Sequence, residues 1–360
     1  MTISDRILMG PGPCNPYPEA LEALARPLLG HLDPEFLQLL DETCDRLRTV
    51  FRTTNARTLP ISGTGSAGME AAFVNTVSDG DVVVVGVNGL FGERMCDVAA
   101  RCGAEVVRVD SPWGEPVDPG PVLEAARRHS AKVIAVVHAE TSTGACSDVA
   151  ALGAGKGDAL LLVDCVTSLG GIPVEIDAWG VDIAYAGTQK CLGVPPGLAP
   201  LTIGERAWER RVVRPRSWYL DLGMIGEYTG SARKYHHTAP VGMIASLHAG
   251  LGAILEEGTL TVQARHAECG HALQGGLEAM GLDLFAAAGT RLPELTTVRV
   301  PEGVDSAVVR KTLLERYSLE IGGGVGQYAT SVWRIGCMGH TARRRNVTLV
   351  LAALQEILGR

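Results

Sequence analysis

Only five lysines occur in 360 residues, at 132, 156, 190, 234 and 311, and aromatic side chains make up 5% of the chain. Basic runs are lacking too, and the net charge is −8, which argues against binding to nucleic acid or to an anionic membrane. The nine cysteines (14, 44, 96, 102, 146, 165, 191, 269 and 337) are odd in number, scattered and without a C-x-x-C pair. That spacing excludes a disulfide framework and offers no metal site; reduced thiols in a cytoplasmic protein are the expectation. No apolar run approaches the roughly 18 to 20 residues that cross a bilayer, and the opening Met-Thr-Ile-Ser-Asp-Arg leads into Gly10-Pro-Gly-Pro13 with no secretory signal expected. What the chain has is glycine (44) and 46% hydrophobic residues, enough for tight turns and a large core.

Short β-branched runs alternate with helix-like stretches. Asp81–Val87, Ala104–Val109, Lys132–His138, Ala159–Asp164 and Val181–Ala186 read as strands buried on both faces. Between them Gly65–Ser78, Gly92–Cys102 and Val122–His129 read as helices. This alternation predicts an α/β layer with a mainly parallel sheet. Beyond about Thr238 the texture changes: Met243–Glu257, Thr261–Met280, Asp305–Tyr317 and Arg343–Leu358 read as helices, and Thr296–Val300 and Leu319–Gly322 as strands. A large domain over residues 1–245 and a smaller α+β domain over 246–360 are therefore expected.

Lys190 directly follows the apolar run Val181-Asp-Ile-Ala-Tyr-Ala-Gly-Thr-Gln-Lys190. A lysine just past a strand is most often a surface residue. Strand C-termini in open α/β sheets face the ligand crevice, however, and a desolvated lysine there is an amine nucleophile toward aldehydes. Asp164 ends another apolar strand, Ala159-Leu-Leu-Leu-Val-Asp164. Alone it reads as a cap or turn residue; with Lys190 it matches the needs of pyridoxal phosphate, which takes a lysine and an acidic partner for its pyridine nitrogen. Ser62-Gly-Thr-Gly-Ser-Ala-Gly68 then supplies small residues and hydroxyls before a helix, suited to a phosphate, and no Gly-Lys-Ser/Thr follows to make it a nucleotide loop.

With Val163-Asp-Cys-Val-Thr-Ser-Leu-Gly-Gly171, Tyr235-His-His-Thr-Ala-Pro240, Gly10-Pro-Gly-Pro13, Gly30-His31 and Arg334-Ile-Gly336, the chain resembles the class V, fold type I aminotransferases, in the alanine–glyoxylate and serine–pyruvate branch. The resemblance implies pyridoxal 5′-phosphate as cofactor and a homodimer acting on small amino acids and 2-oxo acids. It implies Lys190 as the Schiff-base lysine and Asp164 as the partner of the pyridine nitrogen. Thr64, Gly65, Ser66 and Gln189 would meet the phosphate, Phe91 would stack on the ring, and Thr141 would reach the ring hydroxyl. Tyr235 and Thr238 would complete the phosphate site of the other subunit, and Arg334 would bind the substrate carboxylate.

Two stretches depart from the family pattern. The helix after Asp148 is expected to be short. The loop before Arg334 carries Gln327, Tyr328, Thr330 and Ser331 where the family has a Pro and a Gly-Lys, which bears on the choice of substrate. A lyase of the same fold, of the cysteine desulfurase kind, is the alternative. Phe91 at the stacking position speaks against it, and Cys337 is the cysteine nearest Arg334 in sequence.

Overall fold

The computed structural model describes residues 4–359. Its centre is a seven-stranded sheet. The strands are β1 (Arg57–Ser62), β2 (Val82–Val87), β3 (Glu105–Asp110), β4 (Val133–Val137), β5 (Leu160–Asp164), β6 (Ile183–Tyr185) and β7 (Leu198–Ile203), in spatial order β1-β7-β6-β5-β4-β2-β3. The run from β6 to β3 is parallel, and β7 alone runs against its neighbours. The sheet is thus mainly parallel, as the unbroken Val/Ile/Leu runs predict. Val83–Val85, Val133–Val136 and Leu160–Val163 are wholly shielded from solvent because helices cover both faces.

Helices α1 (Pro18–Leu24), α2 (Pro34–Phe51), α3 (Gly65–Thr76), α4 (Leu90–Arg101), α5 (Pro119–Arg128) and α6 (Val149–Gly155) flank or connect these strands. Helix α6 has seven residues, the short element expected after Asp148. Helix α2 was not anticipated, although its start is well marked: Asp33 accepts a hydrogen bond from Glu35 N and Pro34 occupies the first turn.

Downstream, α7 (Val241–Glu257) and α8 (Thr259–Ala279) lead to a three-stranded antiparallel sheet of β8 (Leu295–Arg299), β9 (Gly322–Gly323) and β10 (Val332–Gly336), with α9 (Ser306–Tyr317) and α10 (Arg344–Leu358) packed on it. The boundary drawn at 245/246 falls inside α7. The buried side of that helix (Ile244, Leu247, Leu251, Ile254) belongs to the first core. The second core takes over at Cys269 and includes Trp333, Ile335 and, from the other end of the chain, Met9. Met9 arrives there because Ile7–Leu8 pairs in parallel with Leu319–Glu320.

Candidate active site

A cleft opens at the C-terminal ends of β4 and β5, the crevice side of a parallel sheet. Thr64, Gly65, Ser66, Phe91, Thr141, Asp164, Gln189 and Lys190, all singled out by sequence, line it together. A larger groove near Asp45, Arg57 and Trp208 contains none of them.

The floor is Asp164, 4% exposed at the end of β5. Its Oδ1 accepts from Val166 N at 2.7 Å and its Oδ2 from the Tyr185 hydroxyl at 2.8 Å. Burial raises the Asp164 pKa to about 6, against the pull of those two donors. Lys190 faces it, also buried, with its pKa lowered to about 8 by desolvation first and by the nearby Arg334 cation second. The Lys190 ammonium donates to the Pro11 carbonyl. Gly12 makes this approach possible: its φ is +107°, and a Cβ there would lie 2.6 Å from Lys190 Nζ. An amine so depressed is available near neutral pH as nucleophile or base.

One wall is the start of α3. Thr64 is the N-cap, yet its side chain makes no capping hydrogen bond, so the hydroxyl is left toward the cleft. Gly65 packs so tightly that a Cβ would come 2.8 Å from Val166 Cγ2. The positive end of a twelve-residue helix, with hydroxyls at 64 and 66, suits an anion. Gln189 Oε1 is buried with no partner among the described residues. The opposite wall is Phe91 at the start of α4. Arg334 sits on β10 with Nε donating to Gly323 O (2.7 Å) and Nη1 to Thr141 O (3.4 Å), so a strand rather than a loop aims it. Burial lowers its pKa to about 10.

These features are one chemistry seen from several sides, and comparison with known proteins agrees. The family described as Aminotransferase class-V matches residues 15–342. The chain belongs to the class V aminotransferases. It is similar to alanine–glyoxylate aminotransferase of Drosophila melanogaster, 40% identical over 99% of this chain and 93% of that protein. Among solved structures, alanine–glyoxylate aminotransferase from Nostoc sp. is 44% identical with a TM-score of 0.97, covering 99% of this chain and 96% of the other. Ureidoglycine–glyoxylate aminotransferase from Bacillus subtilis is 38% identical with a TM-score of 0.98, covering 100% and 94%. As a class V aminotransferase the chain is a pyridoxal-phosphate-dependent transaminase of fold type I.

The cleft of this class V aminotransferase fits that cofactor: an anion cradle at one end, a buried carboxylate at the other, a ring wall between them and an amine opposite. The Gln189 side chain, whose oxygen has no partner among the described residues, can turn its NH₂ group, a donor, toward an anion. Three of the residues singled out, Arg334, Tyr235 and Thr238, do not line the cleft; Arg334 touches its wall through the Thr141 carbonyl. Tyr235 is 54% exposed, its hydroxyl 3.4 Å from Thr238 Oγ1 and its ring beside His31. The loop before Arg334 turns through a short 3₁₀ segment, where Tyr328 packs between Trp113 and Phe285 and Gln327 is exposed. Sequence reasoning passed over Tyr185 and Arg94. The Arg94 guanidinium stacks 4.9 Å above the Phe91 ring and reaches Ser66 Oγ at 3.4 Å. Its position three residues after Phe91 on one helix face was the available signal.

Proposed function

We propose that the enzyme moves an amino group from a small amino acid, alanine or a serine-like donor, to a 2-oxo acid such as glyoxylate or pyruvate. The observation that carries this reading is the pairing of a depressed lysine with an arginine held on a strand beside it. Such a pair can grip an α-carboxylate and attack chemistry at the adjacent carbon. The glyoxylate-using relatives favour small 2-oxo acids as acceptors.

Pyridoxal phosphate, when bound, supplies an electron sink for charge left on the substrate α-carbon. Lys190 would hold the cofactor through its amine, and its Nζ, when free, could take the proton from the substrate Cα and give it back. Asp164, fixed by Tyr185 and Val166, keeps a proton on the pyridine nitrogen. Thr64, Gly65, Ser66 and Gln189 hold the phosphate, Phe91 orients the ring plane, and Thr141 bonds at the ring hydroxyl. Arg334 takes the substrate carboxylate in a bidentate fork.

Tyr235 and Thr238 fit a shared site in a homodimer, each subunit lending them to its partner's phosphate. Exposed Leu21, Leu24, Leu28 (71%) and Leu32 on the same side of the chain sequence as α1 and α2 supply apolar surface for such an interface. We place the enzyme in the cytoplasm, where its nine free thiols are stable; among the described residues no helix is long and apolar enough to cross a membrane. A lyase of the desulfurase kind is disfavoured, since Cys337 is wholly buried and its thiol is pushed up by burial.

The deciding experiment is a pair of half-reactions. Alanine should convert the bound cofactor to its amine form with one pyruvate released per site, and glyoxylate should reverse the spectrum and yield glycine. With cysteine in place of alanine and no acceptor present, continuous release of alanine with its sulfur passed to a thiol, and no change in cofactor form, would identify a lyase of the desulfurase kind instead.

A further inference from the structure

Helix α4 begins without a cap of its own. Its N-cap is Gly89, which has no side chain to offer, so the first N–H groups need acceptors from elsewhere. They find them about fifty residues downstream. Glu140 Oε2 accepts from Phe91 N (3.1 Å) and Gly92 N (3.3 Å), and Ser142 Oγ accepts from Leu90 N (2.9 Å). Glu140 Oε1 in turn accepts from Ser142 N (3.0 Å) and Ser142 Oγ (2.6 Å). A Cβ at Gly89 would lie 2.5 Å from Glu140 Cδ and 2.4 Å from Ser142 Oγ, so the carboxylate fills the place an ordinary cap would take.

This is more than a helix terminus. Phe91, whose N–H is held, is a wall of the cofactor cleft, and Thr141, between the two capping residues, lines the same cleft and receives Arg334 on its carbonyl. All four groups bonded to Glu140 are donors, which calls for the ionised form although complete burial pushes its pKa up. The negative charge also faces Arg334 and favours its charged state.

We propose that Glu140 is a positioning residue for transamination: its buried carboxylate ties the start of α4 to the Thr141 segment, and so aims the Phe91 ring and Arg334 at one reaction centre. The proposal rests on the reading of Phe91 as the ring-stacking residue and of Arg334 as the carboxylate anchor. Glutamine is isosteric but cannot substitute, because in either orientation its NH₂ group faces backbone N–H donors. The ring and the arginine then lose their common reference, and displacements of about an ångström cost of the order of a hundredfold in rate.

The test uses the holoenzyme in four variants: E140Q, S142A, F91A and, as a control, D118N. Asp118 caps α5 by accepting from Gly120 N, a cap of the same chemistry away from the cleft. The readouts are the visible circular dichroism of the bound cofactor, its release rate, kcat and KM for alanine, and Tm. E140Q should weaken the cofactor dichroism, speed release, lower kcat about tenfold or more and raise KM. D118N, which keeps an oxygen for Gly120 N and loses only the charge, should lower Tm slightly and change nothing else. An E140Q enzyme that differs from wild type only as D118N does, by Tm, would reduce Glu140 to an ordinary cap and overturn the proposal. If E140Q does not fold, S142A decides: a smaller shift of dichroism and kcat in the same direction supports the proposal, and unchanged values overturn it. F91A reports separately on the parent reading, because unchanged dichroism there means the ring does not stack at all.

Discussion

The floor of the cleft and the pair Tyr235 and Thr238, all proposed to bind the cofactor, are built in opposite ways. Asp164 ends β5 and Lys190 sits in a turn five residues past β6, both nearly sealed, with Val166, Tyr185 and Pro11 as partners from the same chain. Tyr235 and Thr238 stand exposed, bonded chiefly to each other. The proton-handling groups are completed within one subunit, where burial shifts both pKa values toward neutrality. On the reading proposed above, Tyr235 and Thr238 would join the phosphate site of a second subunit. Chemistry and cofactor retention should therefore respond differently to mutation and to dilution.

The largest effect tests the sealed half. Lys190→Ala should remove covalent cofactor capture, so that borohydride followed by mass spectrometry finds no adduct, and should lower turnover by at least the roughly 10²- to 10⁴-fold that a general base contributes. Full turnover in this variant would dismiss Lys190 from the mechanism. Next comes Arg334→Ala, which strands a substrate carboxylate in a partly dry site. The loss of about 3 to 5 kcal/mol in pairing should cut kcat/KM for alanine more than about a hundredfold, with bound cofactor retained.

The same arginine sets a pH prediction. Lys190 must be neutral to capture the aldehyde, so capture by apoenzyme, followed by absorbance, should rise through pH of about 8. Arg334 lowers the lysine pKa, and Arg334→Ala should move that rise to higher pH. The open half is sharper under dilution. Tyr235→Phe or Thr238→Ala should weaken cofactor affinity about tenfold each, the value of one hydrogen bond to a charged group, without changing the pH profile. A monomer that holds the cofactor as tightly as the dimer would erase the distinction between the two halves. Smallest is the loop: Gln327→Ala should reorder preference among amino donors by a few-fold or less, whereas Tyr328, packed between two aromatic rings, should also affect stability.

Legibility in the sequence followed the same divide. The strands carrying Asp164 and preceding Lys190 are unbroken apolar runs, and a carboxylate or lysine at their ends is conspicuous among so few polar residues. Strands β1 and β7 were missed for an equally physical reason. Pro60 and Pro200 lie within them and face each other in the register, and proline ordinarily argues against an interior strand. Glu140 was hidden differently. It lies in His138-Ala-Glu-Thr-Ser-Thr-Gly144, where attention falls on Thr141, and the helix it caps begins about fifty positions earlier. Contacts across such separations leave no periodic trace.

The opening segment of the chain joins what the two cores keep apart. Met9 donates to Glu320 O and accepts from Gly336 N, fastening it to the C-terminal sheet two residues from Arg334. Five residues later Cys14 N donates to Gln189 O and Cys14 Sγ to Lys190 O, while the Pro11 carbonyl between them takes the lysine ammonium. This stretch is a short tether between the strand that carries Arg334 and the turn that carries Lys190. A displacement of the C-terminal sheet would therefore have only a few peptide units in which to be absorbed before it reached the Pro11 carbonyl.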